Sequence, residues 1–127
     1  MAEHNDLGKF GEDLALELLE AKGYHVLDRN YRFKRAEIDL VALMLDPGEL
    51  VFVEVKTRRG KLWGEPELAV NQQKKKQMFI AADAYLHEKQ MRNVPCRFDI
   101  ISVIVPEQGD PIFHHIEDAF RRMDSSW

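Results

Sequence analysis

The sequence predicts an α/β fold, with a central mixed sheet flanked by helices and a core in the order α-β-β-β-α-β. Two stretches repeat apolar residues at helical spacing, and the stretches between and after them are rich in the branched and aromatic residues typical of strands. The chain has 127 residues, the size of one domain, and its seven glycines and five prolines stand at apparent element boundaries. We therefore expect residues 1–127 to form a single domain.

The first predicted helix covers about Leu7–Lys22. Its apolar residues follow the i, i+3, i+4, i+7 pattern of one buried stripe. Asp6 is the expected N-cap, and Gly23 is the expected stop just beyond the last turn. Gly11 lies within the stripe and Gly8 at its margin, so we expect another part of the chain to approach that face closely.

Three strands should follow, over Tyr24–Phe33, Ala36–Met44 and Glu49–Thr57, with the first at an edge of the sheet. Asp46-Pro47-Gly48 is a turn signal, which predicts that the second and third strands form an antiparallel hairpin. A four-residue loop over Leu45–Gly48 would pair residues whose numbers sum to 93, because the turn fixes the register.

The second half of the chain predicts a helix and further strands. The helix covers about Asn71–Glu88, with Asn71 as its cap. A strand over Cys96–Val105 and a short strand near Pro111–His115 follow, and Glu117–Met123 is interpreted as a closing helical turn.

The composition excludes several classes of protein. Hydrophobic residues make up 45% and charged residues 31% of the chain, as in globular proteins, and no apolar run approaches the roughly 20 residues of a membrane span. Glu3 and Asp6 stand where a secretory signal would carry positive charge, so we expect no signal peptide. The single cysteine excludes a disulfide scaffold and a thiolate zinc site, and predicts a cytoplasmic protein.

Charge is unevenly distributed along the sequence. The net charge of −4 argues against a general polyanion binder. Residues 29–92, however, contain 13 basic and nine acidic side chains, between two acidic ends. The basic middle is therefore a candidate phosphate-facing surface, with accidental clustering on a solvated surface as the alternative.

Charged residues interrupt the hairpin strands, which otherwise have the composition of core. The predicted pairing places Asp39 opposite Glu54, with Lys56 a diagonal step away, and strict alternation places Ile38 and Leu40 together on the other face. Two carboxylates about 5 Å apart repel each other unless a positive charge lies between them, and Mg²⁺ is a hard cation that binds such oxygens. The alternative is a wet hairpin face with a cross-strand ion pair that contributes about 0–1 kcal/mol.

Asp39, followed after 14 residues by Glu54-Val55-Lys56, resembles the PD-(D/E)XK signature of the restriction-endonuclease-like nucleases. The core order of that superfamily, αβββαβ, matches the predicted order, although Ile38 stands where the signature has proline. The archaeal Holliday-junction resolvases are similar in having a helix glutamate, then Asp, then Glu-x-Lys. A larger ordered set covers nearly the whole chain and resembles the small bacterial YraN family: Gly8, Gly11-Glu12, Ala15, Leu19, Gly23-Tyr24, Asn30, Glu37-Ile38-Asp39-Leu40, Val53-Glu54-Val55-Lys56-Thr57-Arg58, Gly64, Ala69-Val70, Lys74, Ala82, Tyr85-Leu86, Arg97-Phe98-Asp99 and Ala119-Phe120.

The resemblance implies a metal-dependent nuclease that hydrolyses DNA phosphodiester bonds, with branched or flapped DNA as an expected substrate. Asp39 and Glu54 would ligate Mg²⁺ or Mn²⁺ together with the carbonyl of Val55. Lys56 would orient the attacking water or stabilise charge in the transition state. Glu12, at the edge of its helix stripe, would be a further ligand to metal or water.

Basic residues around this set are candidate phosphate contacts, which would position nucleic acid without reading its sequence. Arg58 and Arg59 directly follow the Glu-x-Lys strand, and Arg35 occupies the neighbouring turn. Lys74 follows the buried stripe of the second helix, so it is either a phosphate contact or a lysine that reaches past apolar surface to water. Trp63 is expected to anchor its loop on the core, with base stacking as the alternative.

Two other functions remain open from the sequence. The chain could be a nucleic-acid-binding module on a nuclease fold with little or no catalytic activity, or an interaction protein without a nucleic-acid role, which the net charge of −4 favours. Cutting both strands of a duplex would need a homodimer, by analogy with the resolvases. His114 and His115 are adjacent on a predicted strand, so their side chains should point to opposite faces and serve structural roles.

Overall fold

The computed structural model describes residues 2–60 and 70–122. Within them, five strands form one mixed sheet whose order follows the chain, β1-β2-β3-β4-β5. Neighbouring strands are antiparallel except for the parallel pair β3–β4, which α2 connects. This confirms the predicted α/β class and is compatible with a restriction-endonuclease-like core. The elements are α1 Ala2–Ala21, β1 His25–Phe33, β2 Ala36–Met44, β3 Glu49–Arg59, α2 Gln72–Glu88, β4 Cys96–Val105 and β5 Ile112–Phe120.

The sheet is buried on both faces. On one face α1 packs Ala15 and Leu19 against the central strands, and on the other α2 packs Met78 and Tyr85. Strands covered on both sides need apolar residues at successive positions, which is why β2, β3 and β4 have largely continuous apolar sequences. In the described residues, neither helix is long and apolar enough to cross a membrane. Trp63 lies outside the described residues.

The N-terminal end of α1 differs from the prediction, and its C-terminal end agrees with it. The helix begins at Ala2, so Asp6 lies inside it and the predicted N-cap is wrong. The predicted stop at Gly23 is confirmed: φ is 96°, its N–H donates to the Glu20 carbonyl, and the Tyr24 N–H donates to Leu19. This is a Schellman ending, in which a residue without a Cβ takes the left-handed conformation.

One of the two helix glycines marks the predicted close approach. A Cβ added to Gly11 would lie 1.8 Å from Oγ1 of Thr57, so the α1 backbone packs directly against the Thr57 side chain of β3. A Cβ added to Gly8 would meet nothing within 4 Å beyond its own helix among the described residues. The prediction therefore holds for Gly11 and is wrong for Gly8.

The hairpin register is as predicted. Pairs run from Met44–Glu49 to Leu40–Val53, and each pair of numbers sums to 93. The paired residues end there, one step before Asp39 and Glu54. β1 is an edge strand, also as predicted.

Side-chain alternation in β2 breaks at Asp39. Leu40 packs in the core beside α1, whereas Ile38, two residues away, packs in the core beside α2. The predicted common face for these two residues is therefore wrong. The register with β1 places Asn30 across from this point, and Asn30 has a positive φ of 53°, so the backbone of β1 is also irregular here.

The C-terminal segment, predicted as a short strand and a helical turn, is one longer strand. β5 covers Ile112–Phe120, so Glu117–Phe120 of the predicted helical turn is strand, and the predicted short strand near Pro111–His115 falls in the first half of β5. The reason is tertiary: Phe120 pairs with Phe98 of β4, and their rings stack with centroids 5.4 Å apart.

Candidate active site

Asp39 and Val55 meet where the hairpin strands separate. The Val55 N–H donates a 2.8 Å hydrogen bond to Oδ2 of Asp39, a side-chain contact just beyond the last backbone pair. In a strand, the N–H and C=O of one residue face the same neighbour, so the Val55 carbonyl also faces β2. Both the predicted carboxylate and the predicted backbone ligand therefore border one opening.

Glu54 presents a carboxylate oxygen to this opening. Its side chain is 13% exposed, and its Oε1 atom is buried without a hydrogen-bond partner in the described residues. The nearest cation there is Lys74, whose Nζ lies 3.5 Å from Oε1, beyond a good hydrogen bond. A buried carboxylate oxygen without a hydrogen bond is unfavourable, so the arrangement leaves a place for a positively charged or hydrogen-bonding group.

The two carboxylates influence each other electrostatically. Burial, and next the charge of Glu54, raise the pKa of Asp39 to about 8, although the Val55 N–H acts in the opposite direction. More distant charges, Glu12 and Lys74, contribute with opposite signs. A cation between Asp39 and Glu54 would remove this repulsion.

A cleft of about 670 Å³ opens at this point, between the start of α1 and the end of β3. It combines acidic side chains with two arginines that have no ion-pair partner within the described ranges 2–60 and 70–122. Negative groups and unpaired cations in one cleft are what a metal and a phosphate backbone would require. Its lining residues are Leu7, Gly8, Glu12, Asp39, Glu54, Val55, Thr57, Arg58 and Arg59.

Glu12 borders the cleft but is bound elsewhere. Its Oε1 accepts a 3.4 Å hydrogen bond from Arg29, which also contacts Asp13 at 2.9 Å. Across the described residues, no group of three or more His, Cys, Asp or Glu side chains is arranged to hold a metal ion. The structure therefore brings two carboxylates together and holds the third, Glu12, beside them.

Three predicted residues, Lys56, Arg35 and Lys74, are not part of the cleft lining. Lys56 lies two positions after Glu54 on the same strand face and is half-buried, without an ion pair to any described residue. Arg35 is exposed in the turn between β1 and β2. The Lys74 ammonium nevertheless faces the site, since its Nζ lies 3.5 Å from Glu54 Oε1. The Asn71 side chain accepts the Lys74 N–H at 2.8 Å, which confirms Asn71 as the cap of α2.

A second charged cluster, which the sequence reasoning left without a role, is built on Asp99. This fully buried carboxylate accepts from Arg97 at 3.0 and 3.1 Å and from the Asp118 N–H at 2.9 Å, and lies 2.8 Å from His115 Nε2. Burial alone would raise the pKa of Asp99, but these hydrogen bonds outweigh it and lower the pKa. His114 is exposed while His115 is buried, so the cluster joins β4 to β5 as a structural element.

Comparison with known proteins identifies the family. The model described as "Uncharacterised protein family UPF0102" matches residues 11–103. The chain belongs to UPF0102. Similar UPF0102 proteins include that of Bacteroides thetaiotaomicron, 49% identical over 120 residues (94% of this chain, 96% of the relative). The UPF0102 protein of Geobacter sulfurreducens is 45% identical, over 94% of this chain and 92% of the relative. That of Geotalea daltonii is 41% identical, over 93% of this chain and 91% of the relative. UPF0102 is the YraN family, so the resemblance seen in the sequence is confirmed.

Proposed function

We propose that this UPF0102 protein is a metal-dependent nuclease that hydrolyses DNA phosphodiester bonds. The observation that carries the proposal is the proximity of the Asp39 and Glu54 carboxyl groups at the end of the hairpin, with a buried Glu54 oxygen that has no hydrogen bond within the described residues. A structural ion pair needs only two opposite charges, whereas here the Lys74–Glu54 pair is accompanied by a second carboxyl, Asp39, whose pKa the charge of Glu54 raises. Perturbed carboxylates in a cleft are typical of functional sites.

The donor set fits Mg²⁺ or Mn²⁺. Mg²⁺ uses one or two carboxylates and keeps several waters, so Asp39, Glu54 and the Val55 carbonyl are sufficient protein ligands. Glu12 can hold one of those waters from the opposite wall of the cleft. When bound, the cation would supply an activated water and neutralise charge on the phosphoryl oxygens.

The remaining residues bind and position the substrate. Arg58 and Arg59 line the cleft, make no ion pair with another described residue, and would neutralise backbone phosphates. Lys56, about 7 Å along the strand from Glu54, is placed to donate to a phosphate oxygen or to orient a water at the edge of the cleft. Arg35 lies in the exposed turn between β1 and β2, so it would contact only DNA that extends past the cleft.

Cleavage assays with matched variants test the proposal. Single-stranded, duplex, flap and four-way-junction DNA are incubated with Mg²⁺ or Mn²⁺, and we expect cleavage that prefers branched or flapped substrates. The Asp39→Asn/Glu54→Gln double variant keeps the side-chain shapes and should be inactive. Glu37→Gln, on β2 but outside the cleft lining, should cleave like the wild type. Equal cleavage by wild type and double variant would reveal a contaminant and refute the proposal.

A nucleic-acid-binding module with little activity is the second candidate. Lys56 favours it, because this third member of the motif lies outside the cleft lining and makes no ion pair with Asp39 or Glu54. In the same assays, salt-dependent DNA binding by both proteins without turnover by either would support the module.

Location and assembly complete the proposal. One cysteine in 127 residues suits a reducing compartment, and we place the activity in the cytoplasm. Cleavage of both strands of a duplex would use two copies of the chain, each cutting one strand. Sedimentation of the protein with and without a four-way junction would measure this assembly.

A further inference from the structure

Lys74 approaches the buried oxygen of Glu54 more closely than any other cation of the described residues. Its Nζ lies 3.5 Å from Glu54 Oε1, and its charge also acts on Asp39, where it lowers the pKa. The ammonium therefore stands beside the proposed cation position, facing the same two carboxylates from α2. A positive charge there competes with a metal for the same negative field.

The backbone of Lys74 is fixed while its ammonium is not. The Asn71 side chain holds the Lys74 N–H at 2.8 Å, and Met78, one turn later, is fully buried against the sheet. The side chain itself is 35% exposed, and its four-carbon stem carries the charge on rotatable bonds. The ammonium can move by several ångström without any movement of the helix.

We propose that Lys74 is an exchangeable counter-ion: its ammonium neutralises Glu54 while the site is metal-free, and metal binding releases it to contact a DNA phosphate. This inference rests on the proposed function and adds a role for one residue within it. It explains why Glu54 Oε1 has a cation nearby but no hydrogen bond to any residue in 2–60 or 70–122, since a cation that is to leave is held by charge rather than by close geometry.

The exchange predicts opposite effects of one substitution. Lys74→Gln removes the competing charge, so Mn²⁺ should bind about tenfold more tightly, which corresponds to about 1.4 kcal/mol. The same variant should bind DNA as wild type does without metal, when the ammonium is occupied by Glu54. With Ca²⁺ present as an inert divalent ion, it should bind DNA several-fold more weakly than wild type.

The experiment uses the full chain and a matched control. Mn²⁺ affinity is measured by calorimetry, and affinity for a fluorescein-labelled four-way junction by anisotropy with EDTA or with Ca²⁺. Lys76→Gln is the control, because Lys76 is on the same turn of α2 and carries the same charge but is exposed. It should leave Mn²⁺ affinity within twofold of wild type and change DNA affinity equally with EDTA and Ca²⁺.

The outcomes separate this inference from the proposed function. If wild type binds Mn²⁺ and Lys74→Gln binds it no more tightly, the exchange is refuted and the metal site stands. If neither protein binds Mn²⁺, both proposals fail. Binding by Lys74→Gln alone would support the exchange in its strongest form, with the ammonium excluding the metal from wild type.

Discussion

Replacing Asp39 with asparagine should stabilise the metal-free protein, by an amount that increases with pH. Burial and the charge of Glu54 raise the pKa of Asp39 to about 8, so from about pH 4 to about pH 8 the folded protein holds a proton that the unfolded chain has released. Its contribution to stability is complete below pH 4 and is lost progressively until the pH passes 8. Asparagine has no such proton, and its Oδ1 still accepts from the Val55 N–H.

The size of this stability difference follows from the raised pKa of Asp39 and from the access of solvent to the cleft. Each pH unit in this window changes the free energy of unfolding by up to about 1.4 kcal/mol, so the ceiling over the window is about 5–6 kcal/mol. Solvent in the half-open cleft screens the charges, and we expect the variant to exceed wild type by about 2–3 kcal/mol at pH 8. That difference corresponds to about 8–12 °C in Tm for a domain of this size.

Urea unfolding followed by far-UV circular dichroism measures the difference at pH 4.5, 6, 7 and 8, with EDTA present. The two proteins should be similarly stable at pH 4.5 and diverge as the pH rises. Glu37→Gln makes the same acid-to-amide change on the same strand, outside the cleft lining, and serves as the matched control. A constant difference between Asp39→Asn and wild type at every pH would mean that this carboxyl ionises in its ordinary range, and would refute the reasoning.

Three further predictions concern the metal, the helix contact and the buried cluster. Mn²⁺ at about 100 times its Kd should raise the unfolding free energy of wild type by about 2.7 kcal/mol and leave that of Asp39→Asn unchanged, as measured in thermal melts. An equal effect on both proteins would place the metal at another site. Gly11→Ala should destabilise the protein by about 1–2 kcal/mol through overpacking, whereas Gly8→Ala should stabilise it by up to about 1 kcal/mol. Urea unfolding measures both changes, and stability changes of the same sign in the two variants would contradict the contact between Gly11 and β3. Asp99→Asn should destabilise the protein by about 2–3 kcal/mol at pH 7, because it removes the buried charge that accepts from Arg97 and the Asp118 N–H and leaves Arg97 with Glu49 as its close ion-pair partner. The cost should shrink below pH 4 as the wild-type carboxyl protonates, and a negligible cost at pH 7 would show the cluster to be dispensable.

The hairpin shows how much of the site local sequence can predict. A four-residue turn and two apolar strands fix the register, so the approach of Asp39 to Glu54 follows from counting residues. What counting missed is the break in alternation at Asp39, which lies across from Asn30, a residue with positive φ on the neighbouring strand. A strict period of two within one strand cannot predict where that period is interrupted.

The C-terminal strand shows the opposite limit. The sequence from Glu117 onward has a helical pattern over a few residues, but Phe120 is placed by stacking on Phe98, which is distant in the chain. The buried Asp99 was likewise found only through its tertiary partners, because a single carboxylate in an apolar strand has no spacing signature. Local propensity decided the turns and helix ends here, and long-range packing decided the rest.

Asp39 lies where β2 changes face, so it is bordered by residues of both helical layers. Glu12 approaches from the α1 layer and Lys74 from the α2 layer, and both charges act on this one carboxyl. A random-mutagenesis screen for altered activity should therefore recover substitutions from both sides of the sheet, arranged as a ring around one strand end. The two outer surfaces of the domain would then evolve together, although the sheet separates them.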